Sequence, residues 1–372
     1  MLYRSTGSQA GSVKAAVLLR KGVGLKPHKT MKMVTTLILL ATLLLGCSQP
    51  QDIGAYLTEL HEGGKLNGNV LVMQNDTVLY ESSFGYADGG RKHLLTPAHR
   101  FALGSIQKEF PGVAIMQLNE RGLLSLEDSL SHFLPHLPWW ADKISVRNLL
   151  QYSSGLPHVD WEARFEKGVA RQTEILQDLS KLEELEFEPG TDYLYSNYNP
   201  LLLQSIVESL SGMPFKAYVE QNILLPFELD GIVIKEEYPY KNTELMAIPF
   251  DEDFKVDDYQ VELMTVCSSA RGMYTWFSRL DDYKIITKES MRQLSEEAME
   301  GDNIQAPLGR CDWEDGDIKL HLHHGNSKNY ESLVRHYKKD GLVVVLLTNQ
   351  EHENLHDIAD NIYALAQRKG AK

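Results

Sequence analysis

The chain has 372 residues, 43% of them hydrophobic, enough to bury a substantial core as one large or two ordinary domains. Residues 1–47 carry seven Lys/Arg and no Asp/Glu, so the remainder holds 30 basic against 51 acidic side chains, a net charge of −21. So acidic a body repels phosphate backbones, and no basic cluster offsets it. Nucleic acid is therefore excluded as an expected partner.

The apolar run Met33 to Leu45 follows Lys29 and Lys32 and is 13 residues long, whereas a spanning helix needs about 20. It is expected to be a signal peptide. The run ends in Leu44-Leu45-Gly46-Cys47, which resembles the lipobox of bacterial lipoproteins. The resemblance implies that Cys47 is diacylated and becomes the new N-terminus. Acyl chains contribute about 0.8 kcal/mol per buried CH₂, and two or more on one residue anchor a protein stably. Ser48, rather than Asp, resembles the outer-membrane sorting pattern. The expected location is thus the bacterial cell envelope, lipid-anchored, periplasmic or outer-membrane. Residues before Met31 fit no n-region, which points to a start at Met31 or Met33. Of the other cysteines, Cys267 and Cys311 can pair in an oxidising compartment or remain two buried thiols, and their spacing is not a metal pattern.

After a polar linker at residues 48–52, Ile53, Tyr56, Leu57 and Leu60 recur at helical spacing until Gly63-Gly64. Val70 to Gln74 and Thr77 to Ser82 flank Asn75-Asp76 and predict a β-hairpin. The stretch from about 105 to 230 reads as mainly helical. In it Asn199 and Pro200 are expected to open a helix as cap and first residue, with Leu203, Ile206, Val207 and Leu210 as its buried face and Gly212 as its stop. Strands return at Ile318 to His323, Ser332 to Tyr337 and Leu342 to Thr348, the last two joined across Asp340-Gly341. Leu342 to Leu347 is apolar on both faces and should lie centrally in a sheet covered on both sides. Leu355, Ile358, Ile362 and Leu365 give a closing helix one apolar stripe. The expected class is α+β: an antiparallel sheet flanked by terminal helices, with residues 53–104 and 265–372 forming an α/β sheet domain and residues 105–264 a mainly helical one. The clustered acids Asp251, Glu252 and Asp253, and Asp281-Asp282, are read as solvated surface.

Three short motifs carry chemistry. Ser105-Ile-Gln-Lys108 is S-x-x-K, which places a hydroxyl and an amine one helical turn apart. A lysine there can take the serine proton if desolvation or a neighbouring cation lowers its pKa, and a serine at a helix start lies near the positive dipole end. Tyr195-Ser-Asn197 is Y-x-N on a Pro-Gly loop. A phenol can shuttle a proton, and an amide can orient substrate and lysine. His323-His324-Gly325 ends a predicted strand, where glycine lets a substrate backbone approach and the next amide, that of Asn326, can point into an oxyanion hole. Two further matches, Tyr240-Lys-Asn242 and His61-Glu-Gly63, lack this context and are read as a surface loop and a helix end.

Taken in this order, S-x-x-K, Y-x-N and H-x-G resemble the serine β-lactamase and penicillin-binding protein superfamily, in particular its class C β-lactamase, D-alanyl-D-alanine carboxypeptidase and esterase branch. Supporting phrases are Phe84-Gly-Tyr-Ala-Asp88, Val146 to Pro157, Ser211-Gly-Met-Pro, Leu225-Pro-Phe-Glu-Leu and Arg271-Gly-Met-Tyr, and the likeness runs from about residue 55 to 365. The resemblance implies the β-lactamase/transpeptidase-like fold. It also implies that Ser105 attacks a carbonyl, Lys108 and Tyr195 handle its proton, and Asn197 orients the site. His323 and Gly325 line the substrate edge, and the amides of Ser105 and Asn326 hold the oxyanion. Departures bear on substrate: His323 stands for the Lys of K-T-G, His324 for a small or hydroxyl residue, and Lys328-Asn329 for Pro-Gly. Pro111 is expected to kink the nucleophile helix by clashing with the carbonyl of Gln107.

These features predict a serine hydrolase acting through an acyl-enzyme on an ester, amide or D-amino acid peptide. The alternative is a slow or degenerate penicillin-recognising sensor or binding lipoprotein. The expected partners are a small-molecule or peptide substrate and, through the lipid, a membrane. No cofactor is expected. His321 and His323 share a strand face, but two histidines without a third ligand are read as structural, so no metal is expected either.

Overall fold

The computed structural model describes residues 52–256, 258–301, 304–350 and 355–370, all within one folded unit, Pro50–Lys372. The expected signal peptide, Cys47 and most of the linker lie outside the described residues.

The described strands are β1 (Gly68–Gln74), β2 (Thr77–Phe84), β3 (Phe101–Ala102), β4 (Ala170–Arg171), β5 (Ile232–Lys235), β6 (Val261–Glu262), β7 (Thr265–Ser268), β8 (Arg310–Glu314), β9 (Asp317–Ser327), β10 (Tyr330–Tyr337) and β11 (Leu342–Thr348). The longer helices are α1 (Ile53–Glu62), α2 (Glu109–Glu120), α3 (Tyr198–Ser211), α4 (Ala270–Asp281) and α5 (Leu355–Gly370). Six strands pair antiparallel in the order β2-β1-β11-β10-β9-β8. A small sheet, β3-β7-β5, and the parallel pair β4-β6 complete the strand structure.

Alternation along β11 explains why it is central. Leu342, Val344 and Leu346 pack with Ile53 and Leu57 of α1 and Leu355, Ile358 and Ile362 of α5. Val343, Val345 and Leu347 pack on the other face with Phe110 of α2 and Trp276 of α4. Each fully buried side chain of this size contributes roughly 1.5–3 kcal/mol, so both faces hold the strand. At the β1–β2 turn Asn75 and Asp76 both have positive φ, 47° and 61°, the backbone a two-residue hairpin with matching twist requires.

The molecule is thus an antiparallel sheet covered by the terminal helices on one face, with mainly helical structure between β3 and β8. Four local expectations fail. Asn197, not Asn199, caps α3; Asn199 is buried in the first turn and accepts from Ser154 Oγ at 2.6 Å. Pro111 is the third residue of α2, where a backbone N–H has no partner within the helix, so it imposes no kink. The chain instead changes from a 3₁₀ turn, Gly104–Lys108, to α-helix just before it. Asp281 is not solvated but wholly buried. Tyr240 is likewise buried, with its hydroxyl 3.7 Å from Cys267 Sγ, although Lys241 and Asn242 beside it are exposed. Cys267 and Cys311 are both free thiols. No described helix is long and apolar enough to cross a membrane.

Candidate active site

The site forms where the 3₁₀ turn Gly104–Lys108 meets the open end of β9. Strand β8 pairs with β9 only as far as Leu322, so residues 323–327 keep β10 on one side and face the turn on the other. Contact there is backbone to backbone. A Cβ on Gly325 would stand 2.0 Å from Leu103 O and 2.9 Å from Ser105 N, and one on Gly104 would stand 2.6 Å from Asn326 N. The two amides assigned to the oxyanion hole are therefore neighbours across a junction that excludes side chains. The turn is tied from behind: Leu103 N donates to Val266 O at 3.1 Å, and Val266 N donates to Gln107 Oε1 at 3.1 Å.

Ser105 is half-buried, and Lys108 Nζ donates to its Oγ at 3.0 Å. The same nitrogen lies 4.8 Å from the centre of the Tyr195 ring. Lys108 is buried, with its amine nitrogen between the hydroxyl and the aromatic face. The Tyr195 loop is held by the segment Tyr152 to Pro157. Leu194 N donates to Tyr152 O at 2.9 Å, Gly190 N donates to Ser153 O at 2.8 Å, and Ser196 Oγ donates to Pro157 O at 2.5 Å. These bonds give the Y-S-S-G-L-P run its role as a clamp. Asn197, two residues after Tyr195, is half-buried at the start of α3.

Tyr152 itself was not singled out by sequence. Its φ is +54°, uncommon for a bulky residue, and its ring lies 4.7 Å from that of Tyr195. Burial, followed by the neighbouring phenols Tyr195 and Tyr193, pushes its hydroxyl well above the ordinary range, so it stays neutral. Tyr193 is pushed up to about 12, chiefly by burial.

The third motif divides between the two faces of the sheet. His323 is buried, and its Nδ1 lies 2.6 Å from Glu109 Oε1. His324 turns the opposite way, with Nε2 2.8 Å from Glu331 Oε1 and its ring 5.1 Å from that of His356 on α5. It therefore has no direct bearing on a substrate at Ser105. Lys328, in the β9–β10 turn, sets its ammonium 4.7 Å from the Phe165 ring centre and 5.5 Å from that of Tyr259.

Behind His323 lies a polar cluster that sequence reasoning missed. Glu109 accepts from Trp276 Nε1 as well as His323, and His321 Nε2 lies 3.7 Å from the same carboxylate. His321 Nδ1 faces Asp281 Oδ1 at 2.8 Å, and Asp281 Oδ2 faces His336 Nδ1 at 2.6 Å. Burial raises the Asp281 carboxyl, but the charges and hydrogen bonds of His321 and His336 together outweigh it and hold it at about 2. Burial likewise raises Glu109, and bonds from His321 and His323 bring it below its usual value. The available signal was a glutamate directly before the apolar run Phe110 to Met116. The histidines whose spacing invited a metal are thus paired with carboxylates, and no group of potential metal ligands occurs among the described residues.

A serine–lysine pair thus lies beneath a tyrosine and against an open strand edge. The chain belongs to the Beta-lactamase family, whose model matches residues 53–369. It is 34% identical over 171 residues to "Penicillin-binding protein 4*" of Bacillus subtilis, covering 45% of this chain and 38% of that protein. It is 23% identical to "Protein flp" of Staphylococcus aureus, covering 82% and 64% respectively. The matches thus span less than two thirds of either relative. Among solved structures, a penicillin-binding protein from Bacillus halodurans superposes with TM-score 0.71 at 23% identity, covering 83% of this chain and 98% of that one. A D-amino acid amidase from Ochrobactrum anthropi gives 0.68 at 19%, covering 83% and 96%. A class C β-lactamase gives 0.68 at 17%, covering 85% and 94%. The fold is therefore the β-lactamase/transpeptidase-like fold.

Proposed function

We propose that the protein is a serine hydrolase that turns over an ester, amide or D-amino acid peptide through an acyl-enzyme on Ser105. The observation that carries this reading is the 3.0 Å contact between Lys108 Nζ and Ser105 Oγ beneath the Tyr195 ring. Lys108 and Tyr195 together take the hydroxyl proton as Oγ attacks the carbonyl carbon and pass it to the departing alcohol or amine. Oxygen, left anionic in the tetrahedral intermediate, accepts from the amides of Ser105 and Asn326, each such donor contributing about 3–4 kcal/mol. Asn197 and the β9 edge at Gly325 orient the substrate, with His323 behind that edge. Water then releases the acyl group by the reverse proton path.

In this reading Cys47 carries the lipid that holds the enzyme at the bacterial cell envelope. Residues 53–104 and 265–372 act as the sheet domain and residues 105–264 as the helical one, with the substrate between them. The test is hydrolysis of nitrophenyl butyrate by the wild type and by Ser105→Ala, Lys108→Ala and Tyr195→Phe. Each variant should lose nearly all turnover, because members of one proton-transfer unit are strongly non-additive. Wild-type turnover in Ser105→Ala would refute the assignment. A stoichiometric burst without steady-state turnover in the wild type would favour a slowly deacylating sensor.

A further inference from the structure

We infer that Glu109 is a positioning residue for the Ser105 site: its carboxylate fixes His323 as the Nδ1–H tautomer, leaving Nε2 as a lone-pair acceptor in the third motif. The inference rests on Ser105 being the nucleophile.

Lys108 and Glu109 are consecutive, yet their side chains diverge. Lys108 turns to Ser105, and Glu109 turns into the core, where it is wholly buried. The donor inventory around Glu109 fixes the protons. Trp276 Nε1 has only a hydrogen to offer. His321 faces Asp281 Oδ1 at 2.8 Å with Nδ1 and the Leu308 carbonyl at 3.0 Å with Nε2. Both partners are acceptors, so His321 carries hydrogen on both nitrogens and is an imidazolium. Glu109 therefore has a cation 3.7 Å from Oε1 and donors to both oxygens, which keeps it ionised. An ionised Glu109 Oε1 at 2.6 Å requires hydrogen on His323 Nδ1.

A second proton on His323 Nε2 is disfavoured by its surroundings. Burial is the largest influence and lowers its pKa; the Glu109 hydrogen bond opposes this, while the charges of His321 and Lys108 add to the lowering. His323 is thus a neutral imidazole with its lone pair on Nε2. It stands two residues before Gly325, on the strand face that meets the Ser105 turn. Where the family resemblance places a lysine cation, this chain offers a neutral acceptor. That position suits a hydroxyl or N–H of the substrate and is unfavourable for a carboxylate.

The test starts from ¹⁵N-histidine spectra of the wild-type chain at neutral pH, with His323 assigned by loss of its signals in His323→Gln. The expected result is the Nδ1–H tautomer; an imidazolium or an Nε2–H tautomer overturns the inference, and this measurement needs no folded Glu109 variant. Glu109→Gln supplies the second arm. Its amide must turn NH₂ toward one former donor, and only His323 can become an acceptor by moving its proton to Nε2. The expected result is that tautomer change with kcat/KM for an ester carrying a hydroxyl or N–H reduced at least about tenfold, since the Nε2 acceptor is then lost to it. In the His323→Gln background, Glu109→Gln should add nothing. Equal losses in both backgrounds would show that Glu109 acts only through packing. Phosphonate labelling of Ser105 separates the two claims: label with the wrong tautomer refutes Glu109 alone, and no label refutes the nucleophile.

Discussion

Gly325 and Ser105 meet through their backbones, so closely that a side-chain carbon on Gly325 would stand 2.9 Å from the Ser105 nitrogen. That contact sets the separation of the Ser105 and Asn326 amides. Gly325→Ala must push β9 away from the turn, because the nearest obstacle, Leu103 O at 2.0 Å, is backbone and cannot step aside. Loss of one oxyanion donor costs about 10²–10³ in kcat. A reduction of that size, with KM changed far less, is expected from steady-state kinetics on nitrophenyl butyrate; an unchanged kcat would argue against the paired-amide oxyanion hole.

Asp281 and Asp282 are adjacent in sequence and should differ sharply in stability. Asp281 is buried between His321 and His336, whereas Asp282 is exposed and pairs with Lys284. Asp281→Ala strands a buried charge and should cost about 3–5 kcal/mol; Asp282→Ala should stay within about 0.5 kcal/mol. Urea denaturation checks both values.

The Asp281–His321 pair fixes a pH signature. Asp281 is held at about 2, so its contribution is complete above the ordinary carboxylate range and is lost as pH falls toward that value. His321 is subject first to lowering by burial, but Asp281 and Cys311 together outweigh it and hold the imidazole well above the ordinary histidine range. Its contribution is complete below about pH 6.5 and is lost as pH rises through its folded value. Stability should therefore plateau between about pH 4 and 6.5 and decline on both sides. Asp281→Asn should flatten the alkaline decline; an unaltered slope would contradict the ion pair.

The substrate prediction follows from His323. A charge-assisted bond to a carboxylate contributes roughly 1.5–3 kcal/mol, about ten- to a hundredfold in affinity, and a neutral imidazole forgoes it. We expect kcat/KM for nitrophenyl butyrate to exceed that for nitrocefin from pH 5.5 to 8.5, with a D-alanyl-D-alanine peptide as the third comparison. Nitrocefin leading throughout would refute an ester preference, and nitrocefin leading only at low pH would identify protonated His323 as a carboxylate site.

Lipidation is checked by radiolabelled palmitate. Wild-type cells should show label that Cys47→Ala abolishes; equal labelling in both would remove Cys47 as the anchor.

Sequence made the sheet legible where side chains alternate against two defined surfaces. Asn75-Asp76 marked the hairpin, and the doubly apolar β11 marked the sheet centre, because burial on each face dictates residue type directly. Ser105, Lys108 and Tyr195 were legible as spaced motifs, and the structure brings these three together. Glu109 and Asp281 were not. A charged residue in sequence looks solvated unless its partners are known, and theirs come from β9 and β10, far along the chain. The facing of His324 was lost for a related reason: its motif suggested substrate contact, but strand alternation sends it to the α5 side.

The central claim is that Ser105 forms the covalent intermediate. Intact-mass and peptide mass spectrometry after incubation with an active-site serine phosphonate, and in parallel with a penicillin, tests it most directly. The account predicts one phosphonyl adduct, on the peptide containing Ser105 and absent from Ser105→Ala, with slower or no adduct from the penicillin. An adduct on another residue, or equal labelling of Ser105→Ala, would contradict it.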